Sequence, residues 1–224
     1  MEENLDYSFR IQTSVDSWIQ ECASEISLEF AKRMTYYRGA MLDMENRFKV
    51  LNEEYLLGHG RPLINSIRTR LKTIHSIQEK AKRKTIAFSI DEIEQEIHDI
   101  AGVRAICSFS EDVYAIAETL LKQDDIELIS KKDYIAAPKP NGYRSLHLIV
   151  AVPVHLSRGK RMTKVEIQLR TMAMDWWASL EHQLRYKQNT FFTEDMSRKL
   201  HECAELSAML DARMNTLRKS ILGE

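Results

Sequence analysis

Between Val165 and Arg170 apolar and polar side chains alternate: Val165, Ile167 and Leu169 are apolar, and Glu166, Gln168 and Arg170 are polar. A period-two run of this kind suits only a strand with one packed face and one polar face. The chain therefore needs a sheet with a core on one side. The other side presents a carboxylate, an amide and a guanidinium together, a set able to meet a metal, a base edge and a phosphate. Alternation by itself favours a plainer outcome, a solvated outer face with a Glu–Arg pair.

Around this strand the periodicity changes twice. Trp18, Ile19, Cys22, Ile26 and Phe30 recur at three- and four-residue steps and predict a helix with a buried stripe. A second helix is expected over about 39–57, ended by Gly58-His59-Gly60-Arg61-Pro62. A short strand at 63–71 and a basic helix at 73–84 follow. Ser89-Ile90-Asp91-Glu92 has the form of a capping box opening a short helix. Residues 100–108 read as a strand, and Ser110-Glu111-Asp112 as the cap of a helix reaching about 122. Strands are expected at 126–130, 145–154 and 164–170. A helix over 171–187 carries Met172, Trp176, Leu180 and Leu184 on one side, and 193–222 is helical again. The fold class is α+β, a mixed sheet between helical ends. The organisation expected is a helical extension at 1–60, a mixed αβ domain at 61–190, and C-terminal helices at 191–224.

The net charge is -1 over 224 residues, so no DNA partner is expected, and any anion site must come from local clustering. Three cysteines in no zinc spacing, with Cys107 in an apolar run, suit a reducing compartment. The acidic, polar N-terminus is no signal peptide. No apolar run approaches the ~18 residues of a membrane span. A cytoplasmic protein without membrane attachment is the expectation.

Three further groups of residues bear on chemistry. The turn Lys139-Pro140-Asn141-Gly142-Tyr143-Arg144 presents Lys139, Tyr143 and Arg144 from a fixed frame, with His147 on the strand beyond. A tyrosine between two cations suits a nucleobase with phosphates nearby. An ordinary hairpin with a half-buried histidine fits as well. Arg68, Arg70, Lys72, Lys80, Lys82, Arg83 and Lys84 form a dense basic lane, in which Lys80 shares a helix face with Arg83 and with Lys84. An anionic ligand would relieve that repulsion; a solvated basic helix is the alternative. Asp99 lies where a helix hands over to a strand and can join Glu166 in holding Mg²⁺, or merely cap or pair with Arg104. There is no Walker A sequence and no kinase-type glycine loop, and the whole chain has seven glycines. Phosphates must be held by Lys and Arg side chains.

Taken together, residues 61–187 resemble the synthetase domain of the RelA/SpoT alarmone synthetases. The motifs are the basic run 70–84, HDIAGVRAIC from His98, KPNGYRSLHLIV from Lys139, VEIQLRT from Val165 and MDWWASLEHQLRYK from Met174. The resemblance implies a mixed sheet of about five strands, nucleotidyltransferase-like, flanked by helices. It implies transfer of the β,γ-pyrophosphate of ATP to the 3′-oxygen of GDP or GTP, with release of AMP. On this reading Arg70 and Arg104 sandwich adenine, and Lys80 and Arg83 hold the ATP phosphates. Asp99 and Glu166 carry Mg²⁺, and Glu166 also takes the acceptor proton. Tyr143 stacks on guanine, and Lys139, His147 and Gln168 line the acceptor pocket, with Asp175 and Glu181 near it. A stand-alone enzyme of synthesis only, assembled as a homotetramer through its terminal helices, is expected. Alternatives are a relative acting on tRNA 3′ ends or adenine nucleotides, and a non-catalytic nucleotide- or RNA-binding module.

Overall fold

The computed structural model describes residues 25–87, 89–186 and 193–222. Helix α1 (Glu25–His59) leads into β1 (Ile64–Leu71), α2 (Ile74–Lys84), α3 (Ile90–Glu96), β2 (Ala101–Cys107), α4 (Ser110–Leu121) and β3 (Glu127–Asp133). The hairpin of β4 (Leu146–Leu156) and β5 (Gly159–Thr171) follows, then α5 (Met172–Tyr186) and α6 (Glu194–Leu222). The five strands form one sheet in the order β1-β2-β5-β4-β3. Only β2 and β5 pair in parallel; the other three pairings are antiparallel. No described helix is long and apolar enough to cross a membrane.

One face of the sheet is the core. Val103, Ala105 and Cys107 of β2, Leu146, Leu148 and Val150 of β4, and Val165, Ile167 and Leu169 of β5 are all buried. Against them packs an α1 stripe of Phe30, Met34, Tyr37, Met44 and Phe48, spaced at three, four or seven. Of the stripe read from the sequence, Phe30 is buried, while Trp18, Ile19, Cys22 and the Ile26 side chain lie outside the described residues. The helix start expected near Gly39 is absent, and α1 runs through it unbroken. A Cβ on Gly39 would come within 2.7 Å of Val154 Cγ1. Close packing on β4 thus offsets the roughly 1 kcal/mol that glycine costs a helix.

Two caps differ from expectation. Ser89 does accept from Glu92 N, but the Glu92 carboxylate reaches back past the cap to the Ala87 N–H, at 3.1 Å. At α4 the N-cap is Phe109 and makes no side-chain cap bond. Ser110 is already helical, and Asp112 instead receives Arg61 at 2.7 and 2.8 Å. Cys107 is buried, and burial pushes its thiol up to about 12, a core thiol as its apolar surroundings suggest. The side of α5 bearing Met172, Trp176, Leu180 and Leu184 is exposed, whereas Met174, Trp177 and Ala178 face inward.

Candidate active site

The sheet face opposite the core carries the candidate residues in rows. Direct strand pairing places Arg68, Arg104, Gln168, His147 and Lys132 in one line across all five strands. The next line holds Arg70, Gly102, Glu166 and Ile149. Directly paired residues share a face, and Arg70 is a diagonal neighbour of Arg104, roughly 7–8 Å away along the backbone. Gly102 sits between Arg70 and Glu166, and an added Cβ would meet nothing closer than the Arg70 carbonyl at 3.7 Å. The glycine therefore leaves room on the site face.

Asp99 stands at one end, in the connection 97–100 between α3 and β2. Its Oδ2 receives Lys72 at 2.5 Å and Lys80 at 2.7 Å, so no Asp99–Arg104 pair forms. Burial works to raise the Asp99 pKa, but the two lysines outweigh it and hold the group below its usual value. Its Oδ1 is buried with no hydrogen-bond partner among the described residues. Arg70 and Arg83 are exposed, with no ion pair to a described residue. The basic lane divides here. Lys80 turns to Asp99, Lys84 donates to the Glu96 carbonyl at the end of α3, and Lys82 contacts surface Glu79.

In the centre, Gln168 is oriented by its neighbours. Arginine only donates, so the amide oxygen must be the atom facing Arg104 at 3.2 Å and Arg170 at 2.9 Å. Its amide nitrogen then donates to Glu166 Oε2 at 3.0 Å. Burial works to raise the Glu166 pKa, as does the charge of Asp99; His147 and Gln168 outweigh them and keep it lowered. Arg170 also donates to the Tyr143 hydroxyl at 2.6 Å, and Tyr143 meets His147 Nε2 at 2.8 Å. With its oxygen already accepting, Tyr143 gives its one proton to Nε2. Neutral His147 then carries hydrogen on Nδ1, the nitrogen 3.7 Å from Glu166 Oε1, and protonated His147 carries it there too.

At the far end the Lys139–Arg144 turn closes with Gly142 N donating to the Lys139 carbonyl at 2.8 Å. Asn141 accepts from Tyr143 N at 3.2 Å and donates to Glu181 at 3.3 Å. Lys139 Nζ lies 4.6 Å from the Tyr134 ring centre and 4.7 Å from that of Tyr143, close enough for cation–π attraction to both. Tyr134, Tyr143 and His147 meet edge to face.

The structure thus brings Arg104, His147, Glu166, Gln168 and Tyr143 into one bonded set, with Asp99 and Lys80 beside it and Lys139 over Tyr143. Glu181 meets the turn through Asn141. Asp175 is 7% exposed and receives Arg104 at 3.2 Å, Arg170 at 3.0 Å and Arg68 at 3.5 Å. It anchors three guanidiniums, leaving an excess of positive charge on the site floor. Tyr134 has no place in the sequence reading, while Arg170 and Lys72 appear in it only as members of the polar strand face and the basic lane, with no separate role. Tyr134 had no local signal.

Residues 69–190 match the family model described as a region found in RelA / SpoT proteins. The chain is 40% identical over 193 residues to GTP pyrophosphokinase YwaC of Bacillus subtilis, covering 86% of this chain and 92% of that one. It is 36% identical to GTP pyrophosphokinase YjbM of the same organism, over 83% of this chain and 86% of the other. Among solved structures, small alarmone synthetase 1 from B. subtilis bound to its product pppGpp superposes with a TM-score of 0.79, at 34% identity, over 86% of this chain and 98% of that one. Small alarmone synthetase 2 from B. subtilis gives 0.78 at 40% identity, over 86% and 99%.

Proposed function

The chain belongs to the RelA/SpoT family, and from that premise we propose that it moves the β,γ-pyrophosphate of ATP onto the 3′-oxygen of GDP or GTP. It is a GTP diphosphokinase making (p)ppGpp and AMP. The reading rests above all on one observation: Glu166, ionised and hydrogen-bonded, lies on a single sheet face between a basic donor end and the Tyr143 turn.

Arg70 and Arg104 would flank adenine from neighbouring strands, and Lys80 and Arg83 would take the triphosphate. Guanine would stack at Tyr143, with Lys139, His147 and Gln168 around the acceptor. The acceptor 3′-oxygen attacks the β-phosphorus, the bond from that phosphorus to the α,β-bridging oxygen breaks, and AMP leaves with that oxygen. The hydroxyl proton passes to Glu166. Such a transfer needs in-line positioning and charge neutralisation more than covalent help, and side chains supply both here.

A magnesium ion fits the donor set. Among the described residues Asp99 Oδ1 is a buried acceptor without a partner, and no group of three or more His, Cys, Asp or Glu gathers for a metal. Asp99 and Glu166 would hold it with phosphate oxygens and water completing the shell. When bound, it neutralises developing charge and acidifies the hydroxyl. Lys72 and Lys80 hold the Asp99 carboxylate in place until then.

We also propose a cytoplasmic homotetramer. Support comes from the apolar groove of about 680 Å³ between α5, α6 and Phe109, lined by Met172, Trp176, Leu206, Leu210 and Met214. Met172, Trp176, Leu206, Leu210 and Met214 are each about half exposed in the single chain, as apolar residues covered by a second copy would be.

Incubation with ATP, Mg²⁺ and each of GDP, GTP, ADP and tRNA, followed by nucleotide chromatography, tests the function. AMP with ppGpp or pppGpp is expected from the guanine acceptors. Modification of tRNA or ADP instead, or no AMP at all, overturns it.

A further inference from the structure

We infer that helix α6 is part of the acceptor site, with Ala204 and Glu205 as positioning residues for the turn that carries Tyr143. The inference rests on the proposed role of Tyr143 as the acceptor-stacking ring.

Residues 138–145 are turn and irregular backbone, so the placement of Tyr143 depends on what braces them. Gly142 has φ +88°, and a Cβ there would lie 2.4 Å from Ala204 Cβ and 3.3 Å from His201 Nδ1. The turn's backbone rests directly on α6, and the contact needs a small residue on both sides. Two residues on, Arg144 donates to Glu205 Oε1 at 3.0 Å and to the Ile135 carbonyl at 3.1 Å. That side chain ties α6 to the segment bearing Tyr134. Between these two contacts, Tyr143 packs on a buried cluster of Trp177, Ala178, Leu200 and Ala204.

The brace is itself anchored. Trp177 Nε1 donates to the Leu200 carbonyl at 2.9 Å, and Ser207 Oγ to the Ala173 carbonyl at 3.1 Å. Thr171 accepts from Met174 N, as an N-cap would, and donates to Asp211 on α6. The helix that starts straight after β5 thus holds α6, and α6 holds the turn. None of these contacts touches the donor end, where Asp99, Lys72 and Lys80 belong to other elements. Disturbing α6 should therefore act on the acceptor alone.

Steady-state kinetics with ATP and GDP varied separately test this in Glu205→Gln, Ala204→Leu, Tyr143→Ala and the double variant Tyr143→Ala/Ala204→Leu. Loss of a half-exposed ion pair predicts a GDP KM raised about 2–5-fold in Glu205→Gln. Overpacking in Ala204→Leu predicts a rise of about tenfold. In both, the KM for ATP stays within about twofold, because the donor contacts are remote. In the double variant Ala204→Leu adds little to Tyr143→Ala, since both act through one ring. The inference is overturned if Tyr143→Ala weakens GDP while neither α6 variant does. It is also overturned if the KM values for ATP and GDP rise together with a fall in melting temperature, the mark of a merely structural helix. If Tyr143→Ala leaves GDP binding intact, the acceptor reading itself falls, and this inference with it.

Discussion

At the donor end Arg70 and Arg83 stand exposed, with no ion pair to a described residue. At the acceptor end Tyr143, His147, Gln168 and Arg170 are already joined by hydrogen bonds of 2.6 to 2.9 Å. The two ends ask different things of their ligands. A polyphosphate must draw in these exposed cations, and each ordered side chain costs about 0.5–1.5 kcal/mol. The acceptor meets a framework whose tautomers and rotamers are fixed by the fold. Glu166 lies where the two ends meet, bonded to Gln168 and close to His147. The donor end thus sets exposed Arg70 and Arg83 beside a held Lys80 and Arg104, while the acceptor end is preorganised shape.

Substitutions can break this contrast in order of severity. Glu166→Gln keeps the size of the side chain but removes the proton acceptor. Transfer should fall by about 10³ or more, at the upper part of the range for general base catalysis, while ATP binding survives in a direct titration. Near-normal turnover would remove Glu166 from the mechanism. Arg170→Met comes next. It takes a 4% exposed guanidinium from Asp175, Tyr143 and Gln168 together. Stability should drop by about 3 kcal/mol, as for other broken buried pairs, visible in urea unfolding. An unchanged midpoint would mean that the acceptor network is not preorganised.

Arg83→Ala should behave oppositely. With no ion pair to a described residue, its loss leaves the melting temperature alone. It raises the KM for ATP about tenfold, the order expected for a charge-assisted phosphate contact. An equal rise for GDP would blur the division between the ends. The smallest effect is at Asp211, whose pKa is raised by burial, partly offset by the Thr171 hydrogen bond. A raised carboxylate disfavours its charged form in the fold, so the fold loses stability as pH rises above the ordinary carboxylate range. Asp211→Asn keeps an acceptor for Thr171 and removes that loss. It should raise the melting temperature by about 1–3 °C at neutral pH, with the difference vanishing in acid. A lower melting temperature at neutral pH would show that the charged form is the one the α5–α6 junction favours.

The same contrast governs how far the sequence could be read. The sheet was legible because β2, β4 and β5 carry their own apolar patterns. The polar face of Glu166, Gln168 and Arg170 followed from alternation alone. Much of the donor end is also local, since Arg70, Lys72, Lys80 and Arg83 fall within β1, α2 and the link between them. Roles within it were less legible. Nothing in a basic run says that Lys72 and Lys80 converge on Asp99 while Lys84 turns to α3. The acceptor end depends on separation in sequence. Arg170 is buried only because Asp175 and Tyr143 come from an adjacent helix and a distant turn. Gly142 meets Ala204 across more than sixty positions, a contact no periodicity records. The apolar side of α5 at Met172, Trp176, Leu180 and Leu184 has the spacing of a core stripe, yet it faces out. Spacing fixes which residues share a side, not whether this chain or another covers it.

The division of the site is tested most directly by measuring KM for ATP and for GDP side by side in Tyr143→Ala. Loss of one base-stacking ring, worth about 1–3 kcal/mol, should raise the GDP value tenfold or more. The ATP value should stay within about twofold, because no donor-end contact involves Tyr143. A fall in ATP affinity with GDP unchanged would contradict the account.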